Sequence, residues 1–403
     1  MACSLLMFYN AGTFFYAFSA FFNPIRASLT LSATAVAAAF SMRSLEGGIM
    51  SPAVGFVVDR AGPRKMILFG SLIAGLSMMW LSRADSLLTF YTPFILLSLG
   101  TSFSSGIVGM ATISRWFVRR RGLALGVYAS GAGLGGLLVP VMIWLIDRYD
   151  WRNTLIITGV GFCILGVLVA LVVRQRPEQM GLLPDGDHSG EGISSTKAQG
   201  TEEVNFSVSQ ALRTRTFWLL SISIMAAAMA PQALATVQIP YLESVKIDET
   251  LAGFVISAMT VISVLGRMAF GWLADFKDKS YIMAVALGLE ALGLFLLASI
   301  VAPWMLFLFL ATYAPAYGGV ISMRPAIVAD YYGRKAVGSI QGTLWSIMTV
   351  GGVVSPLLVA WIFENWGSYR PAFYILAILT ALATPLMFLA RRPPRPSSRV
   401  ASA

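Results

Sequence analysis

The chain is 403 residues long, 57% apolar and only 12% charged, with a formal charge of +10. A soluble domain keeps about 25% of its residues charged to face water, so most of this surface faces something else. Two cysteines, Cys3 and Cys163, and a single histidine, His188, give no disulfide framework, no metal-ligand spacing and no histidine-ligated haem; no cofactor or metal is expected.

A helix that crosses a bilayer takes roughly 20 mostly apolar residues. Twelve such runs follow one another at 3–25, 33–58, 65–82, 87–112, 122–146, 153–173, 216–241, 250–274, 280–300, 303–329, 337–363 and 371–390. They read as helices, because an open sheet edge cannot be left in lipid. The first run starts almost at Met1, lacks a basic n-region and is too long for an h-region, so it is expected to be a retained first helix. Residues 175–213, rich in Gly, Ser, Thr and charge, break the pattern as a linker. They divide the chain into an N-terminal six-helix bundle (1–174), a cytoplasmic linker (175–213) and a C-terminal six-helix bundle with a basic tail (214–403).

With the N-terminus inside, twenty Lys and Arg fall at 60–65, 115–121, 174–215, 277–279, 334–335 and from Arg391 onward. The opposite side has six: Arg26, Arg83, Arg148, Arg152, Lys246 and Arg370. This bias sets the orientation. It predicts a multi-pass protein of the plasma (inner) membrane with both termini cytoplasmic. The basic excess reports topology, so nucleic acid is not an expected partner; the lipid bilayer is, around a monomeric functional unit.

The two halves match at a constant offset of 216. Pro24 pairs with Pro240, Gly55 and Asp59 with Gly271 and Asp275, and Arg119 with Lys335. Gly126 pairs with Gly342, Gly135 and Gly136 with Gly351 and Gly352, and Pro140 with Pro356. Convergent use of Gly and Pro is the alternative, but one register spanning helices 1 to 5 and 7 to 11 argues against it. Six helices per half give both copies the same orientation, as in a two-bundle carrier with its substrate held between the bundles. The expected fold class is therefore an all-α membrane protein, two six-helix bundles related by a pseudo-two-fold axis.

At the cytoplasmic end of helix 2 lies Gly55-Phe56-Val57-Val58-Asp59-Arg60-Ala61-Gly62-Pro63-Arg64-Lys65, with a degenerate copy, Gly271-Trp272-Leu273-Ala274-Asp275, at helix 8. It resembles the GxxxDRxGRR signature of the major facilitator superfamily. Gly55 lets a neighbouring helix come close, Asp59 accepts from donors at a helix N-terminus, and Arg60, Arg64 and Lys65 hold the cytoplasmic face. A plain positive-inside loop is the alternative reading. Two further stretches are similar to the monocarboxylate and oxalate/formate branches of that superfamily: Tyr16-Ala17-Phe18-Ser19-Ala20-Phe21-Phe22-Asn23-Pro24, and Arg115-Trp116-Phe117-Val118-Arg119-Arg120-Arg121-Gly122-Leu123-Ala124-Leu125-Gly126. Gly131, Gly133 and Gly136 also spell GxGxxG, but no strand precedes them, so a dinucleotide loop is excluded. They are expected to let helix 5 pack closely on a partner.

Three arginines lie inside predicted spans, where each costs at least ~2.5–3.5 kcal/mol without a cavity or partner. Arg267 sits eight residues before Asp275, about 12 Å along the helix and near the bilayer middle. Its own helix offers no acid one turn away, and a planar guanidinium suits a carboxylate ligand. The alternative is a buried pair with Glu46 or Glu290. Arg43 has Glu46 at i+3, read as a structural ion pair or as an outer gate with Glu46 as proton carrier. Arg324, six residues before Asp330, is expected to snorkel to the cytoplasmic boundary, with an inner gate as the sharper alternative. Glu290 has no assignable role and is expected at the periphery.

The resemblance implies a substrate-binding arginine in helix 8 just before Gly271, which maps onto Arg267. It also maps Tyr16, Tyr313, Tyr317 and Trp345 onto pocket aromatics; lipid-facing or interfacial rings are the alternative. Two departures stand out. The dicarboxylate type has a lysine three residues after the helix 11 tryptophan, where this chain has Met348. The animal monocarboxylate type has an acid four residues before the arginine, where this chain has Ser263. A missing second cation favours a monoanion, since a second carboxylate would be desolvated unpaired. The expected function is a secondary transporter of a small organic anion, coupled to protons or working by exchange. A drug or metabolite exporter on the same fold is the first alternative, and a non-transporting sensor or scaffold the second. No nucleophile constellation points to an enzyme.

Overall fold

The computed structural model describes residues 1–117, 121–174, 206–276, 278–333 and 337–394. Residues 175–205 of the 175–213 linker, Arg119 and Lys335 lie outside them, and no strand occurs among the described residues. Among the described residues fifteen α-helices follow in order. The first predicted span is α1 (Ala2–Asn10), a π-helical turn (Ala11–Tyr16) and α2 (Phe18–Leu29), bent by 42°. The run expected as one helix is thus bent at a widened turn, which leaves backbone groups free of the regular ladder. Next come α3 (Ala33–Ala61), α4 (Pro63–Leu81), α5 (Leu87–Ser104), α6 (Ile107–Trp116) and α7 (Arg121–Leu134). A 3-10 turn (Gly135–Leu138) leads into α8 (Val139–Val172), which breaks at Asp150 (φ 69, ψ 156) into the ends of two spans.

The second half has α9 (Val208–Leu212), α10 (Arg215–Ser244), α11 (Glu249–Phe276), α12 (Lys279–Ala298), α13 (Met305–Tyr332), α14 (Val337–Trp366) and α15 (Arg370–Leu389). Among the described residues nine helices are long and apolar enough to cross a membrane, or ten with the bent first pair. The predicted twelve are recovered once two features are counted. Ala124–Val172 is one 49-residue stretch that Asp150 divides in two, and α3 is a 29-residue helix whose apolar run carries Arg43 and Glu46.

The described chain gathers into two compact units. Unit 1 takes Met1–Ile193, Gln232–Val261 and Val353–Tyr369; unit 2 takes Ser194–Pro231, Ile262–Gly352 and Arg370–Ala403. In unit 1, α4 packs on α5 and on α8; in unit 2, α12 packs on α13 and α15. These are the same spans of each half, so the repeat read from sequence recurs as packing. Glycine contacts repeat it too. A Cβ on Gly135 would lie 2.8 Å from the Gly12 nitrogen and 2.9 Å from the Phe8 oxygen; on Gly351 it would lie 3.0 Å from the Met225 oxygen. Adding 216 to Phe8 lands one residue from Met225, so each copy closes its fifth helix onto its first at a side-chain-free position. Gly131 likewise abuts the Ser4 backbone, as expected for helix 5.

The signature loop is formed by Gly62, which ends α3 at φ +82, a conformation that favours glycine. Pro63 then opens α4 at a position that needs no N–H. Arg60 lies 4.1 Å from the Phe56 ring centroid, and Arg64 and Lys65 are exposed. The environment of Gly55, Asp59 and Asp275 lies outside the described residues. Gly271 does not serve close packing: a Cβ there meets open space.

Candidate functional site

In unit 2, α11 and α13 run side by side in contact through small residues. A Cβ on Gly266 would strike the Pro315 backbone, one on Gly318 the Ser263 carbonyl, and one on Gly319 the Phe270 ring. The same hypothetical atom on Gly318 would lie 3.0 Å from the Arg267 nitrogen. The backbone of Arg267 is therefore level with Gly318 and next to the level of Tyr317. Arg267 itself is half-buried.

The α13 aromatics form the expected ladder. Phe309 stacks on Tyr313 at 5.1 Å and Tyr313 on Tyr317 at 6.0 Å, the latter pair within 12° of parallel. Tyr313 is fully buried and Tyr317 half-buried. The i, i+4 spacing places both rings on one face, and seven residues later the same face carries Arg324.

Arg324 does not snorkel. Its guanidinium carbon lies 4.7 Å from the Trp345 ring centroid, and Nη1 donates to the Met348 sulfur at 3.0 Å. Asp330, toward which a snorkelling side chain would run, is instead paired with Lys279. Helical side chains lean toward their helix N-terminus, which carries Arg324 away from Asp330 and onto α14. Trp345 is 53% exposed, so the cation–π attraction is worth ~0.5–1 kcal/mol, and the Met348 contact adds to it. Sequence reasoning placed Trp345 with Arg267; the structure places it under Arg324. It also sets a guanidinium against Met348, the position where the resemblance showed a lost cation.

Arg43 and Glu46 belong to unit 1, and the ion pair expected between them does not form. Arg43 sits among Phe14, Phe15 and Phe40, with ring centroids 5.3, 4.8 and 5.2 Å away. Glu46 turns the other way and accepts from Ser98 Oγ at 2.6 Å and Ser102 Oγ at 3.1 Å, both on α5. Spacing of i+3 puts two residues on one face, but the π-helical turn and Phe40 offer ring faces and α5 offers hydroxyls, and each charge took its own partner. The Ser98–Ser102 pair at i+4 was the available signal for the Glu46 contact. Tyr16 is buried in the π turn, edge-on to Phe15 at 5.0 Å.

Both acids named as counter-ions for Arg267 are otherwise disposed. Glu46 is taken up by the two serines. Glu290 is 1% exposed, not peripheral, and neither carboxyl oxygen meets a hydrogen-bond partner.

Unit 1 also contains a set of contacts not foreseen from sequence, at the end remote from the signature loop. Asn23 donates to Glu243 at 2.5 Å. Thr34 donates to Glu364 twice, from its backbone nitrogen at 2.7 Å and from Oγ1 at 2.6 Å. Arg26 lies 5.4 Å from the Phe363 ring centroid, and Ser257 Oγ donates to the Gly136 oxygen at 2.8 Å. Each contact joins the first half of the sequence to the second. Nothing in a single segment marks them, because the partners are more than 100 residues apart.

Comparison with known proteins bears on the whole chain. Residues 3–240 and 220–403 match the family model described as Major Facilitator Superfamily. Monocarboxylate transporter 12 of Rattus norvegicus is 28% identical over 81% of this chain and 71% of its own length. The oxalate:formate antiporter of Oxalobacter formigenes is 27% identical over 96% of this chain and 89% of its own. A bacterial homologue of the human lysosomal transporter Spinster, solved inward-facing and unoccupied, superposes with a TM-score of 0.74 at 14% identity, covering 96% of this chain and 95% of that one. With the parallel repeat, the signature loop and both family-model matches in agreement, this chain belongs to the Major Facilitator Superfamily, a family of membrane transporters.

Proposed function

We propose that this transporter moves a small organic anion, a monocarboxylate in the first instance, by alternating access. The reading rests above all on Arg267, a guanidinium set mid-helix in α11 at a glycine-lined contact, level with the Tyr313–Tyr317 ladder. A planar guanidinium grips a carboxylate through two parallel hydrogen bonds, and phenols supply further donors with an apolar wall. Carboxylates are named for both relatives above.

Residues 1–174 and 214–403 are the two moving bodies, and the 175–213 linker joins them. The Asn23–Glu243 and Thr34–Glu364 contacts are the latch of one access state and must part in the other. Substrate biases the two states only through its differential affinity for them. Arg43, caged by three phenylalanines, and Glu46, held by two serines, are gating elements of the first body. The protein works as a monomer in the plasma (inner) membrane with both termini cytoplasmic.

A dicarboxylate is the second reading, favoured by one observation: Arg324 restores a cation beside Met348. Uptake of labelled lactate, pyruvate, formate and oxalate into proteoliposomes decides between them. Losing two charge-assisted bonds at ~1.5–3 kcal/mol each lowers affinity by about two to four orders of magnitude, so Arg267→Ala abolishes uptake at working concentrations. Arg267→Lys is also poor, because the planar fork is lost. Undiminished carboxylate uptake by Arg267→Ala refutes the assignment.

A further inference from the structure

Glu290 lies at the middle of α12, eleven residues from Lys279 and eight from Ala298, so ~12 Å or more of helix separates it from either end. It is 1% exposed, and both Oε1 and Oε2 are buried without a hydrogen-bond partner. Its own-helix neighbours Ala286, Leu287, Ala291, Gly293 and Leu294 are all buried.

Among the described residues α13 and α15 pack along α12, and the charged side chains on them are engaged elsewhere. On α13, Arg324 is engaged with Trp345 and Met348, Asp330 with Lys279, Tyr331 with Ser280, and Tyr332 with Thr214. The remaining titratable groups there are the stacked phenols Tyr313 and Tyr317. On α15, Arg370 donates to the Ile300 oxygen and the Tyr374 hydroxyl meets Ser299, both near the end of α12 that carries Ala298. Near mid-α12, α15 brings Thr384 to Gly288, where an added Cβ would lie 3.9 Å from the threonine methyl.

An ionised carboxylate buried here would meet no hydrogen-bond donor among the described residues; the desolvation cost is several kcal/mol per ion. A neutral carboxylic acid is the form this packing tolerates. Even that form loses its hydrogen bond, so an apolar residue of similar size would be the more stable occupant. The acid is kept at a cost to the fold.

Resting on the carrier reading above, we propose that Glu290 is a proton-binding site of the transport cycle. The carboxylate takes a proton from water on one side, becomes the neutral acid in the buried position the structure shows, and returns the proton to water on the other side. One anion moving with one proton makes the step electroneutral. The joint is Gly293, one turn along from Glu290: a Cβ there would lie 2.6 Å from the Tyr313 Cβ and 2.9 Å from its nitrogen. Any shift of α13 as an anion engages the tyrosine ladder is therefore transmitted directly to the turn that carries Glu290.

The test uses the full chain in proteoliposomes with two assays, carboxylate exchange at equal pH and net accumulation driven by an inward-directed proton gradient. Glu290→Gln mimics the protonated acid. It should keep exchange within about twofold of wild type and lose gradient-driven accumulation. Accumulation at the wild-type level in Glu290→Gln overturns the proposal, as does a wild type that exchanges carboxylates without responding to the gradient. A wild type that exchanges no carboxylate refutes the transport reading instead, and the proton site is then judged by infrared spectroscopy. A protonated-carboxyl band at neutral pH that disappears in Glu290→Gln supports it; its absence from wild type overturns it. Should Glu290→Gln fail to fold, Glu290→Asp replaces it, with the proton dependence of accumulation expected to shift along the pH axis; an unshifted dependence counts against the site.

Discussion

The Thr34–Glu364 contact offers the sharpest check on the latch. Ser32 caps α3 by accepting from the Ala35 nitrogen at 3.1 Å, and Thr34 is the second residue of that helix. Its N–H is one of the four donors that a helix start leaves unpaired, and Glu364 supplies the missing acceptor from α14. The carboxylate also meets the positive end of the helix dipole, worth ~0.3–1 kcal/mol. Charge-assisted bonds are worth ~1.5–3 kcal/mol when buried. Glu364 is exposed, so each of its two bonds is discounted to roughly 0.5–1 kcal/mol. Glu364→Ala should therefore weaken the contact by about 1–2 kcal/mol, a 5- to 30-fold change in the balance between latched and unlatched forms. The readout is amide hydrogen exchange at the start of α3: the Thr34 N–H loses its acceptor, and its exchange should accelerate by that factor. Gly126, far from the latch in a segment with open space around it, should exchange unchanged. Equal exchange at Thr34 in wild type and Glu364→Ala would falsify the latch.

Two further outcomes follow from the packing around the site. Gly318→Ala places a methyl on the Ser263 carbonyl and against the Arg267 backbone; overpacking of this kind costs ~1–3 kcal/mol, so the thermal midpoint in detergent should fall and the apparent KM for anion rise. Gly342→Ala, with nothing within 4 Å of its new atom, gains helix propensity of up to ~1 kcal/mol and should hold or raise the midpoint; two alike responses would contradict the α11–α13 contact. Arg324→Leu removes the cation beside Met348 and should lower dicarboxylate uptake at least tenfold while sparing monocarboxylate uptake. Equal effects on both substrates would remove Arg324 from any role in selectivity.

Much of this protein is decided by local chemistry. Low charge and twelve apolar runs specify a helical membrane protein, because only helices satisfy their own backbone groups in lipid. The offset of 216 specifies the repeat, since glycine and proline at matching positions reflect contacts each copy makes within itself; Gly135 and Gly351 bear this out. The i, i+4 spacing of Tyr313 and Tyr317 suffices to predict their stack. Charged side chains resisted the same treatment. Arg43 and Glu46 look paired in one dimension, and Arg324 looks free to snorkel, because helical spacing says which face a residue shares but not what the neighbouring helix presents there. Phe14, Phe15, Ser98 and Ser102 settled the first case, and Trp345 with Met348 settled the second. Glu290 looked peripheral because its helix is uniformly apolar, with no moment to say which side faces lipid. Long side chains in a low-dielectric medium go to the best partner within reach, and only the tertiary packing of helices distant in sequence determines which partner that is.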